Sequence, residues 1–299
     1  MIVPPPVAPG GTIGVVAPGG AVKADMLDRG VAWLEAKGFR VRVGEHVLAR
    51  RRYCAGEPAL RFADLERMLR DPEVGAVVCA RGGYGTTHLL PLLDPALASA
   101  HPKLIVGYSD VSPLLGYLVE RCGIAALHGP MVATDLANGL TERSAERLCA
   151  LLAAPGAAWR EPAPQVIVEG RATGRLVGGC LSSLVALLGT PYAIETEGAV
   201  FFLEDVAERP YRIDRMLTHL QLAGKFSGVA AVVLGSFANC DGTDPEDVVA
   251  QVFRDFFGRA SFPVVAGFPA GHLSENLTMT LGLPVRVDTR TGCVEALAP

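Results

Sequence analysis

The sequence has little charge for a chain of 299 residues. Only 19% of its residues are Asp, Glu, Lys or Arg, and the formal net charge is −4. A protein that holds nucleic acid without sequence preference needs a basic face. The longest basic run here is Arg50-Arg51-Arg52, and a run this short is typical of a solvated surface. We therefore expect no nucleic acid among the partners.

The seven cysteines show neither a disulfide framework nor a metal site. Their number is odd, no C-x-x-C spacing occurs, and they do not cluster as metal ligands do. Most stand among Ala, Val and Leu, as in VVCA and RLCALL. This context predicts small buried apolar residues in a reducing compartment.

Signals for export or membrane insertion are also lacking. The first residues, MIVPPPVAPGG, have no basic region and are interrupted by prolines, which a signal peptide would not be. The uncharged stretch 176–194 contains glycines, serines and a Pro-Tyr end, so it predicts a buried helix in place of a membrane span. We expect a cytoplasmic protein with no membrane partner.

The length predicts two domains. In the first half, short β-branched runs alternate with amphipathic segments, and this alternation predicts a parallel sheet with right-handed crossovers. One of the predicted helices, ALRFADLERMLRDPE, has Asp64 and Glu66 on its expected polar side. We assign residues 1–153 to this α/β domain.

The second half has a different pattern. A Pro/Ala-rich segment, residues 154–165, predicts a linker. Short β runs with a few helices follow, so residues 166–299 predict a β-rich C-terminal domain.

The segment LIVGYSDVSPLL contains the first candidate for chemistry, Ser109. An apolar strand ends at Gly107-Tyr108, a serine follows and a helix begins. A nucleophile elbow has this order, and the amide after its serine can face a developing oxyanion. The usual motif has glycine where this chain has Val111. A second interpretation stays open, in which Ser109 or Asp110 caps the helix.

A glycine-rich turn, 81–86 (RGGYGT), also follows a predicted strand. In parallel sheets, ligands bind beyond the carboxyl ends of the strands, and glycines let the backbone approach an anion closely. The turn lacks the Gly-Lys-Ser/Thr of a phosphate loop and matches a dinucleotide fingerprint poorly. A plain tight turn explains the segment equally well.

Two further segments offer an acid and a base. Glu204 and Asp205 end the apolar run AVFFLED, where they could form ion pairs with the arginines that follow or orient a histidine. His272 lies in the loop GFPAGHLSENL, where it is either a surface residue or a base that reaches a substrate. His128, in LHGPM, is the only other histidine placed to compete with it.

Eight segments together resemble the LD-carboxypeptidase family, which includes murein tetrapeptide carboxypeptidases and microcin self-immunity peptidases. In chain order they are VAPGG, RGGYG, GYSD, HGPM, GGCLSSLVALLGTPY, LEDVAERPYRIDRML, VVLGSF, and AGH with the TLGLPV tail. Single motifs are weak, whereas eight in order over nearly the whole chain are specific. The resemblance implies an N-terminal flavodoxin-like α/β domain with a parallel sheet, a C-terminal β-rich swivelling domain, and a homodimer.

The resemblance also implies roles for particular residues. Ser109 is similar to the family nucleophile, His272 to its general base, and Glu204 to the carboxylate that holds the histidine tautomer. No metal or organic cofactor is implied. The oxyanion hole would consist of the amide of Asp110 and an amide from the Gly82-Gly83 turn.

By resemblance, the substrate is a muropeptide tetrapeptide that loses its terminal D-Ala during peptidoglycan recycling in the cytosol. Its free carboxylates need cationic partners, for which the motif positions suggest Arg81 or Arg212. Cys180 stands where the family usually has asparagine, so specificity could differ at this position.

Three alternatives stay open. One is a self-immunity peptidase that cleaves an aminoacyl-nucleotide antibiotic, although no long insertion for a nucleobase pocket is evident. Another is a two-domain binding protein that closes on a small ligand without chemistry. The third is a carboxylesterase or broad amidase that uses the same triad.

Overall fold

The computed structural model describes residues 1–243 and 248–298. Residues 244–247 and 299 of the predicted C-terminal domain lie outside the described residues. The chain divides into two compact units. Unit 1 comprises Met1–Gly156 and Ser274–Leu281, and unit 2 comprises Ala157–Leu273 and Gly282–Pro299.

Strands and helices alternate over the first half and strands dominate the second. The strands are β1 (Thr12–Val16), β2 (Arg40–Val43), β3 (Val74–Cys79), β4 (Leu104–Gly107), β5 (Ala126–His128), β6 (Trp159–Pro162), β7 (Gln165–Val168), β8 (Arg171–Cys180), β9 (Ala199–Val206), β10 (Ala231–Ala238), β11 (Val264–Ala266), β12 (Met279–Leu281), β13 (Pro284–Asp288) and β14 (Cys293–Ala296). The helices are α1 (Ala24–Ala36), α2 (Pro58–Arg70), α3 (Pro95–Ala100), α4 (Ser112–Arg121), α5 (Glu142–Ala153), α6 (Leu181–Val185), α7 (Pro210–Leu222) and α8 (Val249–Phe257). Short helical turns cover Thr86–Leu92, Ser109–Val111 and Val132–Leu136.

Unit 1 contains a six-stranded sheet in the order β12-β5-β4-β3-β1-β2. Strands β1 to β5 are parallel to one another. Their order across the sheet, 2-1-3-4-5, is that of flavodoxin-like sheets. The inner strands β1 and β4 are wholly buried, as expected where helices cover both faces. The predicted parallel α/β domain is confirmed.

One strand of this sheet comes from far along the chain. Strand β12 pairs antiparallel with β5 and adds to the outside of the parallel set. Unit 1 therefore includes a segment that the sequence analysis assigned to the C-terminal domain. Local pattern could not show this, because any short apolar strand can complete either sheet.

The polar face predicted for helix α2 is wrong at one position. Asp64 is buried, with 2% of its surface exposed. Its carboxylate accepts hydrogen bonds from the backbone N–H of His46 at 2.8 Å and from His46 Nδ1 at 2.9 Å. These two bonds satisfy the carboxylate in the interior.

Unit 2 contains an eight-stranded mixed sheet in the order β6-β14-β13-β8-β9-β10-β11-β7. Strands β8 to β11 run parallel in its centre, and antiparallel strands flank them on both sides. Helices α6 to α8 belong to the same unit. The predicted β-rich character of this half is confirmed.

The structure differs from the prediction in two segments of unit 2. The predicted linker contains strand β6, which alternates buried and exposed residues and pairs with β14. Its Pro162 is tolerated because β6 is an edge strand. Stretch 176–194 is not one helix but the end of β8 followed by α6, since a strand buried between two neighbours is also continuously apolar. No helix within the described residues is both long enough and apolar enough to cross a membrane.

Candidate active site

Ser109 occupies a sharp turn at the carboxyl end of β4. Its φ is +60°, in the left-handed region that residues other than glycine seldom adopt. No side chain caps either the turn Ser109–Val111 or helix α4, which excludes the capping interpretation. A strained strand-to-helix turn is the geometry of a nucleophile elbow, in which the serine Oγ is presented outside the sheet.

The side chain of Asp110 fixes this turn to the glycine-rich turn 81–86. Its Oδ2 accepts hydrogen bonds from the backbone N–H of Thr86 at 3.0 Å and from Thr86 Oγ1 at 2.8 Å. Burial raises the pKa of Asp110, and the bonds from Thr86 oppose that shift. The two segments that the sequence singled out separately are therefore one hydrogen-bonded structure.

Gly82 packs directly on the serine. A Cβ at this position would lie 2.8 Å from Ser109 Cβ and 2.9 Å from Ser109 Oγ, so any other residue would force one of the two turns to shift. The same Cβ would lie 3.2 Å from the backbone nitrogen of Asp110. The predicted oxyanion residues Gly82 and Asp110 are thus beside Ser109. Gly83 instead packs against Gly20 of the loop that follows β1.

Arg81 belongs to the same set of loops. Its Nη1 donates a hydrogen bond to the Ala21 carbonyl oxygen at 3.2 Å, and the residue is partly exposed. The neighbouring backbone bond from Gly20 N–H to the Gly82 carbonyl oxygen, 2.8 Å, joins the same two loops. This arrangement places a guanidinium among the loops of unit 1 that include the turn packed on Ser109.

Unit 2 brings together the other two predicted residues. His272 Nδ1 lies 2.7 Å from Glu204 Oε2, and the same oxygen accepts the backbone N–H of His272 at 3.2 Å. Glu204 is fully buried at the end of β9, whereas the His272 side chain is 19% exposed. An ionised carboxylate only accepts, so the Nδ1 carries the hydrogen and Nε2 is left as the basic nitrogen.

The loop conformation around His272 makes this pair possible. Gly271 has φ +110°, and a Cβ there would lie 2.5 Å from Glu204 Oε2. Burial raises the pKa of Glu204, and its hydrogen bonds with His272 oppose that shift. A carboxylate held in this way stabilises an imidazolium when the histidine gains a proton.

Asp205, which follows Glu204 in the chain, is bonded to backbone groups through its carboxylate. The Asp205 carboxylate accepts the backbone N–H groups of Ser182 and Val206, each at 2.8 Å. Cys180, which pairs with Glu204 in the sheet register, is buried. Burial and the nearby carboxylates raise the pKa of the Cys180 thiol, so it stays protonated and is a poor nucleophile.

The remaining candidates lie in different surroundings. Arg212 is exposed on α7, where its guanidinium contacts Glu208 at 3.5 Å and Tyr211 Oη at 3.2 Å. His128 is fully buried on β5, with its ring 5.7 Å from that of Tyr108. Burial disfavours His128 as the base that reaches a substrate.

Sequence reasoning missed a buried arginine, Arg61. It is 2% exposed, and its guanidinium donates hydrogen bonds to the carbonyl oxygens of Pro18 and Gly85, the latter at 2.8 Å. It thereby connects the loop after β1 with the glycine-rich turn. The helical spacing contained a signal, because Arg61 stands four residues before Leu65 and seven before Met68 on the apolar stripe of α2.

Two family models match the chain, one in each half. They are the LD-carboxypeptidase N-terminal domain, over residues 13–129, and the LD-carboxypeptidase C-terminal domain, over residues 173–287. The chain is 36% identical to a Bacillus subtilis protein named "Probable murein peptide carboxypeptidase", covering 96% of this chain and 92% of that protein. It is 34% identical to the Murein tetrapeptide carboxypeptidase of Pseudomonas aeruginosa, covering 91% of each.

Solved structures show the same fold. The muramoyltetrapeptide carboxypeptidase of Oxalobacter formigenes aligns with a TM-score of 0.87 at 29% identity, over 95% of this chain and 97% of that one. A structure of the microcin C7 self-immunity protein MccF aligns with a TM-score of 0.93 at 23% identity, over 100% and 99% of the two chains. In sequence, the Escherichia coli MccF protein is 25% identical over 95% of this chain and 92% of its own.

Proposed function

Because the chain belongs to the LD-carboxypeptidase family, we propose that it is a serine peptidase that releases the terminal D-Ala of a muropeptide tetrapeptide. The observation that carries the proposal is the 2.7 Å hydrogen bond between His272 Nδ1 and the buried carboxylate of Glu204. It leaves His272 Nε2 basic, as a general base for a serine requires. Ser109, on its positive-φ turn, is the proposed nucleophile.

The reaction is an acyl transfer in two halves. His272 Nε2 takes the proton of Ser109 Oγ while the oxygen attacks the carbonyl carbon of the L,D peptide bond. The protonated His272 then gives that proton to the departing nitrogen of D-Ala, which leaves an acyl-enzyme. Water, deprotonated by His272, attacks the ester, and collapse of the second tetrahedral intermediate returns the proton to Ser109.

Two groups of unit 1 support the tetrahedral intermediates. The negative charge that develops on the carbonyl oxygen requires fixed donors. The amide of Asp110 is the proposed first donor, because N–H groups at the start of a helical turn have no partner within the helix. An amide of the Gly82-Gly83 turn is the proposed second. These roles need no metal or organic cofactor.

Glu204 keeps the histidine ready for each step. Its carboxylate holds the hydrogen on Nδ1 and stabilises the imidazolium that forms when Nε2 gains a proton. The two bonds to one oxygen also restrict rotation of the ring. A proposed triad thus takes its nucleophile from unit 1 and its acid–base pair from unit 2.

The substrate's free carboxylates require cationic contacts, and Arg81 and Arg212 are the proposed candidates. Arg81 already lies among the loops around Ser109, whereas Arg212 shares the surface of α7 with Tyr211 and Glu208. We further propose that the protein acts in the cytosol in peptidoglycan recycling and works as a homodimer. Cys180, in place of the usual asparagine, is the position where specificity could depart from the family.

Mass spectrometry of a purified muropeptide tetrapeptide tests the main proposal. Wild type should remove one D-Ala and Ser109→Ala should remove none, while the control Ser99→Ala, an exposed serine of the same unit, should cleave as wild type does. Cleavage by Ser109→Ala would exclude Ser109 as the nucleophile. Binding of the peptide without cleavage by wild type would favour the non-catalytic binding protein.

The similarity to MccF supports a second candidate, cleavage of an aminoacyl-nucleotide. The same chemistry would serve, because an acyl–nitrogen bond is again cleaved and only the acyl group and the leaving nitrogen differ. Incubation of wild type and Ser109→Ala with an aminoacyl phosphoramidate of adenosine, analysed in the same way, separates the two substrates. Preference for the nucleotide in kcat/KM would reject the muropeptide assignment.

A further inference from the structure

Unit 1 contains a cavity of about 140 Å³ that the proposed reaction does not use. It lies at the start of helix α2, and Arg51, Arg52, Arg61 and His88 are among the residues that line it. Three of these four side chains are arginines. The cavity therefore differs in charge from the chain as a whole, whose net charge is −4.

Arg61 is the buried wall of this cavity, and its hydrogen-bonding capacity is not exhausted. Within the described residues, no carboxylate lies at ion-pair distance from its guanidinium, and its buried Nε has no acceptor. Burial lowers the pKa of Arg61, although an arginine side chain stays charged in proteins. The charges of Asp110 and Glu57 oppose that shift without direct contact. A buried charge with no carboxylate in direct contact is costly unless a ligand or solvent compensates it further.

A histidine lies beside Arg61 in the cavity wall. His88 Nδ1 is 3.2 Å from Arg61 Nη2. Because a guanidinium only donates, His88 Nδ1 is the acceptor of this hydrogen bond. Tyr84 Oη lies 3.5 Å from His88 Nε2.

The other walls add positive potential. Arg51 and Arg52 are both exposed at the rim, and one carboxylate, that of Glu57, pairs with Arg51 at 2.5 Å. Pro58, which also lines the cavity, is the first residue of α2. The N-terminus of a helix attracts negative charge through its dipole, although Pro58 itself has no N–H to donate.

We infer that this cavity is a binding site for an oxyanion, a carboxylate or a phosphate group, with Arg61 as its buried donor. The guanidinium fork suits such groups in shape as well as charge. The same side chain donates to the carbonyl oxygens of Pro18 and Gly85, which border the loops around Ser109. The inference does not depend on Ser109 being the nucleophile.

Calorimetric titration with inorganic phosphate, against chloride at equal ionic strength, tests the site. The double variant Arg51→Gln/Arg52→Gln changes only exposed side chains and should weaken binding by about tenfold or more, the worth of one charge-assisted hydrogen bond. Its matched control is Arg67→Gln/Arg70→Gln, which removes two exposed, ion-paired arginines from helix α2 and should bind as wild type does.

Arg61→Lys provides an independent variant, because it keeps the charge and loses the fork. It should weaken phosphate binding by about tenfold as well, with circular dichroism and thermal unfolding to show that it folds. An absence of phosphate binding by wild type, or equal affinities for wild type and Arg51→Gln/Arg52→Gln, would overturn the inference.

A competition experiment identifies the source of the oxyanion. With Ser109→Ala protein, phosphate and muropeptide tetrapeptide should exclude each other if the site holds a carboxylate of the substrate. Simultaneous binding would show that the site takes a separate phosphate ligand. If the peptide does not bind at all, the proposed function fails, whereas the phosphate titration still decides this site.

Discussion

Ser109 and His272 are positioned by different means. Ser109 depends on backbone: a residue at positive φ, a glycine packed against it and a buried aspartate that joins two loops. His272 depends chiefly on a side chain, because its ring Nδ1 and its backbone N–H both bond Glu204 Oε2, and its carbonyl oxygen accepts a hydrogen bond from Ser236 Oγ. The surroundings of the proposed nucleophile should therefore be sensitive to added volume. The proposed acid–base pair should be sensitive to a change of charge at constant shape.

The largest effect should come from Glu204→Gln, which alters charge and hardly alters shape. The amide can donate to Nδ1 and place the hydrogen on Nε2, which removes the base. We expect kcat to fall by about 10⁴-fold, as for the equivalent change in other triads. Steady-state release of D-Ala measures this, with the exposed Glu195→Gln as control. A loss below about tenfold would show that Glu204 does not set the tautomer.

Gly82→Ala tests the other side of the comparison through volume alone. The added methyl would meet Ser109 Cβ and Oγ, displacing the turn and the proposed oxyanion amides. We expect a loss of about 10²–10³-fold in kcat, the cost of one oxyanion donor. Gly116→Ala, in helix α4, where a Cβ meets nothing within 4 Å, is the matched control. Full activity of Gly82→Ala would place the oxyanion hole elsewhere.

Separate neutral variants of Arg81, in unit 1, and Arg212, in unit 2, test which of these two arginines binds the substrate. Each Arg→Gln change should raise KM by about tenfold if that guanidinium binds a substrate carboxylate, with kcat little changed. Arg81 is the stronger expectation, because it lies among the loops around Ser109. Kinetics identical to wild type would remove the residue concerned from the substrate site.

The smallest effect concerns the pH dependence of stability. Burial raises the pKa of Asp110 above its ordinary value, so the folded state keeps this proton to higher pH than the unfolded state does. The contribution of Asp110 to stability therefore falls as pH rises from about 4 through its folded-state pKa. Asp110→Asn removes that loss. The free energy of unfolding of Asp110→Asn, relative to that of wild type, should therefore rise over that pH range and stay constant above it.

Thr86→Val sharpens the same measurement. Without the bond from Thr86 Oγ1, the pKa of Asp110 should rise further, and the decline in stability should extend to higher pH. Urea unfolding curves at several pH values measure the pH range over which the free energy of unfolding declines. Parallel curves for wild type, Asp110→Asn and Thr86→Val would mean that Asp110 does not titrate differently in the folded state.

Much of the fold was open to prediction, because strand–helix alternation and buried apolar runs are local properties. They indicated the parallel sheet of unit 1 and the β-rich half that follows. The sequence pattern failed to predict strands that form only by pairing with a distant strand. Residues 154–165 have the composition of a linker, yet strand β6 forms there because it pairs with β14. Strand β12 joins unit 1 for the same reason.

The candidate site divides in the same way. The sequence alone determined that a serine follows an apolar strand, that acids end another strand and that a histidine stands in a glycine-rich loop. Only the tertiary structure decided that Glu204 meets His272, that Asp110 bonds Thr86, and that Arg61 lies inside a helix–loop junction. Contacts between residues far apart in the chain depend on how sheets and loops pack, and periodicity within one segment contains no information about that packing.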